Sequence, residues 1–266
     1  MNILFIGDIF GRPGRETVKK VLPEYRKKLD IDLVIANAEN LHHGKGVSFG
    51  QIDELQHFGV DFFTSGNHIW KEKSIISHLD NVQFPLLRPA NYPDITPGKG
   101  YRVTETSKKQ KVLVINLLGR VFMPANLDCP FRTADKILEE HKTHDLAAIF
   151  IDFHAEATSE KMALAFYLDG RVTAVIGTHT HVPTFDARVL DGGTAFQSDV
   201  GFTGPLNSVI GLEKEGIIKH FLTQMPVKHE VAGGKTVFNA LKITVDEKTK
   251  KALSVEQIQD FVENNV

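Results

Sequence analysis

Five short runs of apolar, mostly β-branched residues each end in polar side chains able to bind a metal. They are FIGDIFG at 5–11, VIANAEN at 34–40, FTSGNHIW at 63–70, FIDFHAE at 150–156 and VIGTHTHVPT at 175–184. Such a run reads as a strand buried on both faces, the usual state in a sheet covered by helices. Between the runs apolar residues recur at helical spacing, as Val18, Val21, Leu22, Tyr25 and Leu29 do. A chain built this way folds as an α/β protein. In such folds ligands sit beyond the carboxyl ends of the strands, so five polar tips far apart in sequence can meet in one cleft.

The same patterns predict strands at 3–6, 33–36, 61–64, 112–118, 147–151 and 172–176. Helices are expected at 15–29, with Pro13 in a first turn that tolerates it, and at 49–57, 72–79, 134–141 and 159–168. Proline and glycine make 84–100 irregular. The segments 187–190, 194–197, 238–245 and 253–258 alternate in the manner of antiparallel strands. No repeat, low-complexity tract or linker divides the chain, so 1–266 is expected to be a single domain.

A composition of 42% hydrophobic and 24% charged residues supplies an ordinary globular core. The net charge of −2 argues against an extended surface for duplex nucleic acid. It leaves nucleotide substrates open, because metal ions can supply local positive charge. No run is long enough to span a membrane. The single cysteine, Cys129, permits neither a disulfide nor a thiolate cluster, which makes a cytoplasmic setting the simplest expectation.

The donors themselves are nitrogen and oxygen. On extended backbone His179 and His181 would point to the same side, roughly 6.5 to 7 Å apart, and each could serve one of two metals about 3.5 to 4 Å apart. Asp8 and Glu39 offer carboxylates, one of which could bridge, and Asn40 and Asn67 offer amide oxygens. This set suits iron, manganese or zinc. Each residue alone has an ordinary alternative: an Asp or Asn after a strand is often a turn former or cap, and a lone histidine such as His154 is more often simply hydrogen-bonded. Their combination is what points to a metal centre.

At these residues the chain resembles the calcineurin-like metallophosphoesterases, with Gly7-Asp8, Gly66-Asn67-His68 and Gly177-Thr178-His179-Thr180-His181 at the signature positions. Within them it is similar to the YmdB-like branch over essentially its whole length. The blocks GDIFGRPGR, NAENLHHGKG, SGNHIW, LLRPANYP, DFHAEATSEK, GTHTHVPT and TAFQSDVGFTGP carry that likeness. Two departures from the wider superfamily are shared with the branch: Phe10 stands where a histidine is usual, and Glu39-Asn40 replaces a Gly-Asp pattern.

The resemblance implies a pair of packed mixed β-sheets flanked by helices. It implies two divalent or mixed-valence transition-metal ions, iron or manganese first and zinc next. Asp8, Glu39, Asn40 and His181 would hold one metal; Glu39, Asn67, His154 and His179 would hold the other. His68 would be the catalytic acid. The activity implied is phosphodiester hydrolysis of cyclic nucleotides, 2′,3′-cyclic and then 3′,5′-cyclic, by a metal-activated hydroxide. A phosphomonoesterase, or a regulatory metal-binding protein with little turnover, is the competing expectation; self-association as a homo-oligomer is expected beside either.

Other polar residues are expected to lie outside the chemistry. His42-His43, in a Gly-rich stretch, reads as a loop at the cleft rim that could reach substrate. His57, His78, His141, His144, His220 and His229 look solvated, and Cys129 reads as a small apolar side chain. The arginines of Gly11-Arg12-Pro13-Gly14-Arg15 precede a helix, and an anion site there is weighed equally against a plain helix start. Lys108 to Lys111 reads as a polar turn, and Glu139-Glu140 as an exposed helix face.

Overall fold

A computed structural model describes residues 1–263. Among the described residues thirteen strands form two sheets. The first sheet contains β1 (Asn2–Ile6), β2 (Asp8–Ile9), β3 (Leu33–Asn37), β4 (Phe62–Thr64), β11 (Phe202–Pro205), β12 (Thr236–Asp246) and β13 (Lys251–Val262). The second contains β5 (Tyr101–Glu105), β6 (Lys111–Leu118), β7 (Ala148–His154), β8 (Ala174–Thr178), β9 (Arg188–Val189) and β10 (Ala195–Gln197). The helices are α1 (Gly11–Lys28), α2 (Phe49–His57), α3 (Ile76–Leu79), α4 (Pro130–Glu140), α5 (Thr158–Leu168) and α6 (Lys214–Thr223).

In the first sheet the order is β2-β11-β12-β1-β3-β4, with β13 paired to β12. β1, β3 and β4 run parallel. In the second, ordered β5-β6-β7-β8-β10-β9, the strands β6, β7, β8 and β10 run parallel. The alternating side chains of β1 show how the layers form. Ile3 and Phe5 enter the core between the sheets, with Leu33, Ile35, Val114, Phe150 and Ile176. Leu4 and Ile6 turn outward against Val18 and Leu22 of α1 and Ile52 and Leu55 of α2. On the far side, Ile115, Ile151 and Phe153 pack on Ala134 and Ile137 of α4 and Leu164 and Leu168 of α5. At β1, β3, β6, β7 and β8 both faces are therefore covered, as their continuous apolar runs require. The expected architecture of two mixed sheets flanked by helices is the one observed.

Several boundaries differ from expectation. The first helix begins at Gly11, four residues earlier than 15, because Gly11 at φ +60° turns the chain directly into it. The expected helix 72–79 divides into a 3₁₀ turn at Lys73–Ile75 followed by α3. The segment 194–197 is not wholly antiparallel in its pairing: β10 lies antiparallel to β9 but parallel to β8. Strands β2, β5 and β11 and helix α6 have no counterpart in the sequence expectations. Among the described residues no helix is long and apolar enough to cross a membrane.

Candidate metal centre

The parallel strands of the two sheets present their carboxyl ends at one edge, and the polar tips meet there. Asp8 follows β1; Glu39 and Asn40 follow β3; Asn67 and His68 follow β4; His154 closes β7; His179 and His181 follow β8. Asp8, Glu39, Asn40, His154 and His181 are buried. Glu39, His154 and His179 each offer a ligand atom, all within 4.8 Å of one another. The Asn67 Oδ1 lies 3.2 Å from the same His154 Nε2 that stands 3.0 Å from His179 Nδ1. Beside them His181 Nε2 faces Asp8 Oδ1 at 3.9 Å. No side chain could grow from position 66, since a Cβ on Gly66 would lie 2.2 Å from His154 Cδ2 and 2.3 Å from Glu39 Oε2.

The His-x-His pair does not lie on extended backbone, contrary to the sequence expectation. β8 ends at Thr178, and His179 and His181 adopt φ of +105° and +66°. Each such non-glycine residue costs about 1–3 kcal/mol. The turn sends the two rings to different places, His179 toward His154 and His181 toward Asp8.

Hydrogen bonds fix which nitrogen each imidazole presents. His181 Nδ1–H donates to the Ile210 carbonyl at 2.9 Å, leaving Nε2 for the cleft. His154 Nδ1–H donates to Thr178 Oγ1 at 2.9 Å, and that hydroxyl donates to Asp152 Oδ1 at 2.7 Å. Asp152, fully buried and pushed up to about 6 by that burial, is also bonded by Thr64 Oγ1 and Asn37 Nδ2. His179 Nε2 lies 3.1 Å from Glu156 Oε2, which turns Nδ1 toward His154 Nε2 and the cleft. Such outer partners orient ligands and set tautomers. Sequence reasoning missed Asp152, Thr178 and Glu156 in these roles, although all three lie inside the blocks that define the site.

His181 is packed by Phe202, stacked at 5.4 Å, and edge-on by Phe10 at 5.5 Å. Phe10, at the position where a histidine is usual, thus serves as packing for a donor. Asn40 presents its amide nitrogen to His181 Nε2 at 3.2 Å, Glu39 Oε1 at 3.3 Å and Asp8 Oδ1 at 3.5 Å, while its oxygen accepts from His68 Nδ1 at 2.8 Å. Three acceptors converge at that point, and the amide nitrogen is the end of Asn40 turned to them. This differs from the expected presentation of an amide oxygen.

The electrostatics fit a cation. Burial opposes charge on Glu39, yet His154 and His68 hold its carboxyl well below the usual range. Burial likewise opposes charge on His154, but Glu39, Asp8 and Asp152 raise it to about 9. Burial, then His154, lowers His179 to about 3. Burial raises Asp8 against the pull of His181 and His154. With protein groups alone, a proton on His154 balances the buried carboxylates. A donor set of buried carboxylates and imidazole nitrogens, with no thiolate, fits a transition-metal ion.

A cavity of about 300 Å³ adjoins these donors, with Phe10, Ile210 and Leu212 on its apolar wall and Lys45, His68 and Glu156 among its polar groups. His42 and His43 do not line it; their neighbour Lys45 does. His42 instead faces Glu72 at 3.4 Å. Arg15 is tied to Glu54 at 2.9 Å and to the Leu41 carbonyl at 2.6 Å, which is the role of a helix start and not of an anion site.

The profile of the YmdB-like protein family matches residues 4–258. The chain is 48% identical over 258 residues to a 2′,3′-cyclic-nucleotide 2′-phosphodiesterase of Bacillus subtilis (strain 168), covering 97% of this chain and 96% of that protein. Among solved structures, a hypothetical protein from Thermus thermophilus superposes with a TM-score of 0.92 at 43% identity, covering 99% of this chain and 100% of that one. A structure described as a novel phosphatase from Mycoplasma pneumoniae also gives a TM-score of 0.92, at 36% identity, covering 100% of this chain and 95% of that one.

Proposed function

The chain belongs to the YmdB-like protein family, and from that membership we propose that it is a phosphoric diester hydrolase whose site holds two transition-metal ions and acts on 2′,3′-cyclic nucleotides. The observation that carries this reading is the convergence of Glu39, His154 and His179 within 4.8 Å beside a cavity that His68 also lines. The relative's activity on a 2′,3′-cyclic nucleotide supports the substrate class. A cavity near 300 Å³ sits at the small end for ligand pockets and suits a mononucleotide. Its apolar wall can take a base. Lys45 is the one Lys or Arg side chain among its lining residues, which matches a diester monoanion better than a monoester dianion.

One metal would be held by Glu39, Asn67, His154 and His179, and the other by Asp8, Glu39, His181 and, after its amide turns over, Asn40. When bound, such cations activate a water and neutralise charge on phosphoryl oxygens. The chain's own part in the chemistry is proton delivery. The leaving alkoxide is a poor leaving group and needs an acid. His68 lines the cavity, and its backbone N–H donates to Glu39 Oε2 at 3.0 Å. Its Nδ1–H donates to Asn40, so the proton passed to the leaving oxygen comes from Nε2. Glu39 and Asn40 hold the ring; they do not take the proton.

The test compares kcat/KM for a 2′,3′-cyclic nucleotide, a 3′,5′-cyclic nucleotide and a simple monoester, in parent protein and in His68→Ala. The parent should favour the 2′,3′-cyclic diester. His68→Ala should keep its metals while kcat on that diester falls roughly 10²- to 10⁴-fold. The loss should be smaller for a diester with an acidic phenol leaving group. A monoester preferred tenfold by the parent, or equal losses on both leaving groups, would overturn the assignment.

A further inference from the structure

We infer that the buried Lys161–Asp199 pair is a positioning device for the metal centre, holding the Thr180 peptide so that His179 and His181 face different donor sets. This rests on the metal reading above. Lys161 reaches in from α5, and its Nζ donates to Asp199 Oδ2 at 2.7 Å, with side chains 2% and 0% exposed. The same Oδ2 accepts the Thr180 backbone N–H at 3.0 Å, and Oδ1 accepts that of Gly201 at 2.8 Å. Thr180 is the residue between the two histidines. The lysine stem passes so close to the end of β8 that a Cβ on Gly177 would lie 3.0 Å from its Cδ.

Stability alone does not call for this pair, because well-packed apolar residues of similar volume often replace a buried ion pair without loss. What an apolar pair lacks is an acceptor for the Thr180 N–H. That bond fixes the peptide between two residues at φ +105° and +66°. A chain released from it would relax toward extended backbone, where both imidazoles point the same way. One donor set would then lose its nitrogen. Lys161 Nζ grips the same Asp199 oxygen that accepts the Thr180 N–H, and so fixes the acceptor in place beneath that peptide.

Two double variants separate positioning from structure. Both Lys161→Met/Asp199→Asn and Lys161→Met/Asp199→Leu remove the charges, but only the first keeps an oxygen for the Thr180 N–H. Cobalt(II) affinity and the cobalt absorption spectrum are measured for each beside its Tm. The leucine variant should bind cobalt roughly 10- to 100-fold more weakly than the parent, as losses of outer partners do, with an altered spectrum. The asparagine variant should stay close to the parent in both. Two variants that bind cobalt alike overturn the inference. If the leucine variant does not fold, hydrogen exchange at the Thr180 amide of the parent decides. Protection equal to that of the β8 amides supports the pair's role, and rapid exchange overturns it. A parent that takes up no cobalt overturns the metal reading, and the inference with it.

Discussion

The first sheet brings oxygen to the cleft and the second brings nitrogen, and the two halves are supported in different ways. Asp8, Glu39 and Asn67 follow strands of the first sheet, and the two carboxylates among them are held by nearby backbone. Glu39 Oε2 accepts the His68 N–H at 3.0 Å, and Asp8 Oδ2 accepts the His179 N–H at 3.2 Å. His154, His179 and His181 come from the second sheet, and each needs a partner on its other ring nitrogen: Thr178, Glu156 and the Ile210 carbonyl. A carboxylate has two equivalent oxygens, whereas an imidazole binds through one nitrogen only if the other carries the proton. The nitrogen half therefore carries more supporting structure, including Asp152, Lys161 and Asp199 behind it.

The largest effect should come from Glu39, which the proposed assignment places in both donor sets. Glu39→Gln removes the charge facing His154 and His68 and should release metal from both sites. Turnover should fall well beyond the roughly 10- to 100-fold typical of an outer partner. Elemental analysis beside the activity assay checks this. Full occupancy of one site in the variant would show that the halves do not share Glu39.

The next change attacks support on the nitrogen side. Thr178→Val keeps the shape of the side chain but deletes the hydroxyl that joins His154 to Asp152. Metal affinity should drop roughly 10- to 100-fold with the fold intact. Parent-like affinity would mean that imidazole orientation needs no partner there, and the contrast between the halves would be lost.

The smallest effect lies at the opposite end of β3 from Glu39, where Asp32 is a control without chemistry. Burial pushes Asp32 up, but hydrogen bonds from Lys108 Nζ and the Asn2 N–H leave it below its ordinary 3.8. A carboxyl lowered in the folded state adds stability above its unfolded pKa and loses it as pH falls through the folded one. The parent's Tm should therefore decline below about pH 4, and Asp32→Asn should flatten part of that decline. Turnover at neutral pH should not change. An unaltered slope of Tm against pH would show that the Lys108 contact contributes nothing in solution.

Much of the fold was legible because its strands are buried on both faces and read as unbroken apolar runs. The missed elements are those where that signal is weak. β5, Tyr101–Glu105, is an edge strand with no fully buried residue. Helix α6 buries only Ile217 and leaves Phe221 and Leu222 exposed, so no clean apolar stripe marks it. The parallel pairing of β10 with β8 could not be read from alternation, because alternation reports burial and not strand direction.

In the site, the sequence by itself determined which atoms could serve as donors: carboxylates, amides and imidazoles placed just past apolar strands. Residue type and strand propensity are local, so they can be read along the chain. Tertiary structure decided how those donors are aimed. The left-handed turn at His179 and His181, the Thr178–Asp152 link behind His154 and the Lys161–Asp199 pair under Thr180 all depend on contacts between segments far apart. The bond from the His179 N–H to Asp8, which joins the two sheets across the cleft, spans 171 residues. Orientation is set by the atoms that surround a side chain after folding, and a linear sequence does not say which atoms those are.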